Sequence, residues 1–411
     1  MKAEETTGTI PENTAISYDT GVVPEGAAAS AAPGTDGYLL DPAAAEEPEE
    51  PVEKKKLPLA SKILFGFAAL SGVIYAAACL SRPFADFFCR YVASGVRWAL
   101  AKITELLPFS LGEACVLLLL PAFVYTVAFV LKKYSGSWRN VGVFALTMLS
   151  VISLLFSLFV FTLGTGYRGS TLDEKLEIGR KNVSVEELKD TASKLAGLVA
   201  AEADGLYYGS DGFSVMPFGY SGMSDELMEA YGRLCEKYGF VQNFYSRIKT
   251  VMLSEPWTYT HITGVYTYFT GESNLNTNMP DYTLPFTAAH EFAHQRGISR
   301  EDEANFVAYL ACIESDDPYV RYSGYLNLYE YVASALYSAD HDAYFEVSGK
   351  LPAEVRAEMS AYNRFFEKYR HNVAATVSGA VNDTYLKSQG TPGEKSYGMV
   401  VDLAVAYYKV H

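Results

Sequence analysis

The sequence predicts a membrane protein in two parts: three N-terminal transmembrane helices followed by a mostly helical α+β domain. Three observations carry this. Three apolar runs free of charged residues lie before position 164, each about long enough to cross a hydrocarbon layer of ~30 Å as a helix. After Tyr167-Arg168 the composition changes to that of a water-exposed domain, with apolar residues at helical spacing and two short β-type runs. Within that domain, Thr287-Ala-Ala-His290-Glu291-Phe292-Ala293-His294 sits between a helix-starting proline and a helix-ending glycine. The expected divisions are a tail over 1–56, a membrane part over 57–168 and a domain over 169–411.

In order along the chain, the tail comes first. The formal charge of −15 over 411 residues is mainly its property, since roughly a dozen acids precede Lys54 in a stretch of Ala, Pro, Gly and Glu without apolar periodicity. It is too polar and acidic for a cleavable signal peptide. No basic patch points to nucleic acid as a partner.

The spans are expected over Ile63–Leu80, Ala114–Leu131 and Val141–Leu163, with Pro121 inside the second tolerated as it is in membrane helices. Between the first two, Arg90, Arg97, Lys102 and Glu105 among aromatics suggest an amphipathic helix on the membrane surface. Lys54 to Lys56 with Lys62, and Lys132, Lys133 with Arg139, mark the tail and the second loop as cytoplasmic. Three spans then put the domain outside the cytoplasm, although Arg82, Arg90, Arg97 and Lys102 of the first loop argue against that orientation.

In the domain, Ser184-x-x-Glu187 is a capping box for a helix reaching about Ala203, and a second helix fits Asp225 to Tyr238. Lys249–Leu253 and His261–Thr270 read as strands. Tyr319–Leu336 and Pro352–Tyr369 read as helices. Five cysteines form no framework, and a Cys235–Cys312 disulfide is possible but not required.

The chemistry is concentrated at His290, Glu291 and His294. Histidines four apart project from the same helical face and can reach one Zn2+ ion, and the glutamate between them is placed to hold the metal's water. Gly297 can end this helix, and Ser299-x-x-Asp302 reads as a capping box opening the next. The third ligand is expected from that helix, Glu301 or Glu303. Glu301 and Asn305 share a sector with the small residues Ala304, Ala308 and Cys312, which permit close approach of the metal helix with its own Ala289 and Ala293. Glu301 is therefore preferred, and Asn305 could receive a ligand histidine's second N–H. His261 could approach the site from its strand; His341, His371 and His411 have no neighbours that suggest ligation.

On these residues the chain resembles a bacterial membrane family known as domain of unknown function 3810. The matching stretches are Leu107-Pro-Phe-Ser-Leu-Gly-Glu113, Ile262-Thr-Gly-Val265, Phe269-Thr-Gly-Glu-Ser-Asn274, Leu284-Pro-Phe-Thr287, His290 to Leu310, Arg321-Tyr-Ser-Gly-Tyr325 and Tyr397-Gly-Met-Val-Val-Asp-Leu403. The resemblance implies three N-terminal spans and a zincin-like domain. Glu301-Asp-Glu-Ala-Asn305 is also similar to the third-ligand motif of gluzincins, with a shorter gap after His294 than many of them have. The expectation is a multi-pass cell-membrane zinc metallopeptidase with an extracytoplasmic catalytic domain, acting on peptides or proteins near the bilayer. The rival expectation is a zinc-binding sensor or assembly protein without turnover. Nothing in the sequence speaks to the oligomeric state.

Overall fold

The computed structural model describes residues 55–133 and 137–411. The expected tail lies outside the described residues except for its last two. Among the described residues, three helices are long and apolar enough to cross a membrane: Leu59–Leu80, Leu111–Lys133 and Trp138–Thr162. The first and third lie side by side, joined by a hydrogen bond of 3.0 Å between the buried Ser150 and Ser61 hydroxyls and by Phe67 against Phe161. The second exposes most of its apolar side chains, Leu118 and Tyr125 among them, as a lipid-facing helix must. Pro121 lies within it without ending it.

The first loop is not a simple surface helix. It folds as a short helix Arg82–Phe87, a π-helical turn Phe88–Ala93 and a helix Ser94–Glu105, and one of its basic residues turns inward. Arg97 is buried and donates to the carbonyls of Thr162 (2.9 Å) and Cys89 (3.1 Å). Thr162 ends the third span, whose last oxygens lack intrahelical partners, and a cation suits them. Lys102 donates to Glu105 (2.7 Å) and to the Tyr245 carbonyl (2.8 Å), and Arg82 pairs with Glu174 (2.8 Å). Three of the four charges that argued against the expected orientation are thus engaged in local packing or with the domain. The loop and the domain share one side of the spans.

The domain is mostly helical. Val185–Ala203 opens on the predicted capping box, and Tyr220–Tyr238 begins earlier than predicted and ends on Gly239 in the left-handed conformation. Pro318–Ala339 packs along Val185–Ala203 and against the helix that carries His290. Its buried tyrosines and leucines share one core with Leu195, Tyr231, Phe292 and Val307. The helices His341–Ser348, Val373–Ser388 and Val400–Val410 were not anticipated.

Three short strands form a sheet: β1 (Lys249–Thr250), β2 (Gly264–Thr267) and β3 (Glu272–Leu275). β3 is central, parallel to β1 and antiparallel to β2, with Gly264 opposite Leu275 and Thr267 opposite Glu272. Both predicted strands are shortened for visible reasons. After β1, the N–H groups of Met252 and Leu253 go to the Glu113 carboxylate (2.8 and 2.9 Å) instead of to a ladder. Around β2, His261 sits at φ +61°, and the Thr267 carbonyl closes a turn by accepting from Thr270 and Gly271. β3 escaped prediction because its four residues, three of them polar, are all buried and show no alternation.

The sheet is fastened to the membrane helices. Glu272 accepts from the N–H groups of Leu111 (3.0 Å) and Gly112 (2.8 Å), placing a carboxylate on the start of the second span, where free N–H groups and the helix dipole favour an anion. Thr267 presses on the same turn: a Cβ added at Gly112 would lie 2.9 Å from the Thr267 hydroxyl.

Candidate metal centre

The helix Leu284–Gln295 has Pro285 in its first turn, where a missing N–H costs nothing, and is followed by Gly297 at φ +95°. His290 and His294 therefore sit one turn apart on one continuous helix. The next helix, Glu301–Ile313, packs closely on it, and the small residues Ala289, Ala293, Ala304 and Ala308 of the two helices are fully buried. That close approach brings Glu301 to the histidines. Its Oε2 lies 3.2 Å from His290 Nε2 and 3.3 Å from His294 Nε2, and one ligand atom from each of the three residues lies within 4.8 Å of the others.

The opposite ring nitrogens are both held. His290 Nδ1 donates to Asn305 Oδ1 at 2.8 Å, and His294 Nδ1 to the Ile298 carbonyl at 2.7 Å. With Nδ1 committed as a donor, each Nε2 is the ring nitrogen turned toward Glu301, where it can hold a proton shared with the carboxylate or, once that proton leaves, a metal ion. The electrostatics match. Burial works against a charge on His294, yet Glu301 raises its pKa to about 9. Burial likewise opposes ionisation of Glu301, but the two imidazoles hold its carboxyl well below the usual range. This is a site that collects positive charge.

Glu303 points elsewhere. It accepts from the Leu172 N–H (3.0 Å) and from Arg300 (2.9 Å), and burial pushes its pKa up. The expected capping box is also absent: the second helix has no side-chain cap at its start. Ser299 instead donates to the Leu163 carbonyl at the end of the third span (2.7 Å), and Asp302 pairs with Arg180 (2.6 Å). The serine caps a membrane helix instead of its own.

Glu291 is buried beside the histidines, its Oε2 without a hydrogen-bond partner among the described residues, and burial raises its pKa. A Cβ at Gly264 would stand 2.7 Å from Glu291 Oε1, so only glycine lets β2 pass this close. His290, Glu291, His294, Glu301 and Asn305 open on a cavity of about 1180 Å³ whose walls include Gly264 to Tyr266 of β2, Tyr167, Tyr331, Tyr385 and Tyr397. The sequence alone did not single out these tyrosines or Gly264. Tyr397 and Gly264 do fall inside stretches that carry the family resemblance, which was the one available signal.

The remaining histidines stand apart. His261 lines the cavity, but its Nε2 is 2.7 Å from the Tyr369 carbonyl and its ring rests on Phe366. His341 stacks on Tyr337 and His411 on Tyr407, and His371 is exposed. All five cysteines are free, so the considered Cys235–Cys312 disulfide is not formed. Cys312 packs against Gly324, and burial raises its thiol pKa.

Compared with known proteins, residues 88–405 match the model of a family described as protein of unknown function (DUF3810). No curated protein and no solved structure matches the chain.

Proposed function

The chain belongs to the family described as protein of unknown function (DUF3810), and for it we propose a membrane-anchored zinc metallopeptidase with a zincin-like catalytic domain outside the cytoplasm. The observation that carries the reading is the convergence of His290 Nε2, His294 Nε2 and the Glu301 carboxylate, with an unpartnered Glu291 oxygen beside them. Two imidazoles with fixed tautomers and one ionised carboxylate are the donor set of a three-ligand zinc site that keeps a fourth position open. Zinc bound there would bring the pKa of its water toward ~7 and polarise a substrate carbonyl.

The chain's own residues do the rest. Glu291 accepts the proton of the attacking water and returns it to the leaving amine, and its buried setting, which raises its proton affinity, suits both transfers. Asn305 and the Ile298 carbonyl hold the two imidazoles in register. The free edge of β2 offers backbone groups to an extended peptide. Asn276 donates to the Thr263 carbonyl (2.9 Å), so by antiparallel alternation the backbone groups of Thr263, Val265 and Thr267 point to β3 while those of Gly264 and Tyr266 point to the free edge.

The test is cleavage of a degenerate peptide library by the purified full-length protein. Cleavage that a chelator abolishes, zinc restores and Glu291→Gln lacks is the expected result. A zinc-loaded protein that leaves every library member intact would overturn the peptidase reading in favour of zinc binding without turnover.

A further inference from the structure

The cavity has a direction relative to the membrane, and β2 gives it. At its start, β2 follows His261, which is bonded to the Tyr369 carbonyl, and this end of the cavity carries Arg370. Its first residue, Gly264, lies against Glu291. At its end, Thr267 presses on Gly112 at the start of the second span, and Tyr268 packs edge-on against Phe159 in the last turn of the third, their ring centroids 5.7 Å apart. Tyr167 and Tyr385 close the same end, and Tyr385 also packs on Phe159. The strand therefore runs from the outer part of the domain, past Glu291, to the membrane boundary. The metal helix is tied to that boundary too: Ile298 holds His294, and its neighbour Ser299 holds the Leu163 carbonyl.

Resting on the peptidase reading, we propose that the substrate is a polypeptide anchored in the same membrane by a segment on the N-terminal side of the bond that is cut. An added strand pairs more stably with β2 in the antiparallel sense. A substrate lying so runs away from the membrane, with its N-terminal side at the aromatic end by Phe159, Tyr167, Tyr268 and Tyr385 and its C-terminal side toward Arg370. The length of β2 together with the step to Tyr268 amounts to four residue rises, roughly 13 Å. The scissile bond therefore lies about four residues beyond the anchor. Hydrolysis adds one water across the C–N bond: the carboxylate stays on the membrane stub, and the new amine, having received the proton carried by Glu291, leaves on the released C-terminal part. The reaction frees an external domain from its anchor.

The experiment uses the full-length zinc-loaded protein in nanodiscs and three versions of one degenerate peptide library: untethered, palmitoylated at the N-terminus and palmitoylated at the C-terminus. Tethering raises local concentration for both lipidated forms, but geometry admits one, so the N-terminally anchored library should be cut about tenfold faster or more than the other two. Mass spectra should place its cuts around the fourth residue from the lipid. Preference for the C-terminal anchor would refute the polarity, and equal cutting of the untethered library would refute the anchored substrate while leaving the peptidase reading intact. Absence of cutting in all three, at the level of Glu291→Gln, would remove the peptidase reading and this inference together.

Discussion

Asn305 is a test of how the candidate centre is built, because it contributes to metal affinity without being proposed as a ligand. Its Oδ1 accepts the His290 Nδ1 proton at 2.8 Å, which fixes the tautomer and the ring plane, and its amide lies 3.4 Å from the Tyr331 hydroxyl. Asn305→Ala removes the acceptor, leaving His290 free to rotate or to carry its proton on Nε2, the atom facing Glu301. Loss of such an outer contact weakens metal binding by about 10–100-fold, or roughly 1.4–2.8 kcal/mol. Asn305→Asp retains an acceptor oxygen and should bind zinc at least as tightly as Asn305→Ala and close to the native protein. The assay is competition for zinc against a chromophoric chelator, with thermal unfolding of the chelated protein measured alongside to separate affinity from stability. An unchanged affinity in Asn305→Ala would refute the reasoning, as would equal weakening in Asn305→Asp.

Three further outcomes follow. Glu301→Ala should abolish tight zinc binding, whereas Glu303→Ala should keep zinc and lose about 1–3 kcal/mol of stability by leaving the buried Leu172 N–H without its acceptor and Arg300 without its carboxylate, as chelator competition and denaturant unfolding would report. Glu330 lines the cavity, and burial raises its pKa to about 7. Since the folded state holds this proton more tightly than the unfolded chain does, its contribution to stability falls as pH rises through the interval from its ordinary value to about 7. Glu330→Gln should therefore be more stable than the native protein by about 1–3 kcal/mol near pH ~8 and indistinguishable near pH ~4, read from unfolding curves at the two pH values. A reporter fused after His411 should be active only outside the cytoplasm; activity confined to the cytoplasm would reverse the proposed topology.

The spans were legible because a charge-free apolar run of membrane length has few other uses, and the grouping of His290, His294 and Glu301 because helical periodicity turns spacing into geometry. The preference for Glu301 over Glu303 came from the same source: small residues mark the face on which two helices meet. Pairings across long sequence distances were hidden. Nothing near Ser299 says that its hydroxyl will cap Leu163, nor does anything near Arg97 say that its charge will be buried on the third span's Thr162 carbonyl. β3 was hidden because a buried polar strand has no apolar signature, and its glutamate is spent on the N-terminus of a distant helix. The cavity's tyrosines, Tyr167, Tyr266, Tyr268, Tyr331, Tyr362, Tyr385 and Tyr397, come from distant parts of the chain, each an ordinary aromatic until the fold gathers them.

The central claim is that Glu291 acts on water while His290, His294 and Glu301 hold zinc, and it is tested most directly by measuring bound metal and turnover together in the native protein, Glu291→Gln and His290→Ala. The account predicts one zinc per chain with peptide cleavage in the native protein, one zinc without cleavage in Glu291→Gln, and neither in His290→Ala. Full cleavage by Glu291→Gln, or equal loss of zinc from both variants, would contradict it.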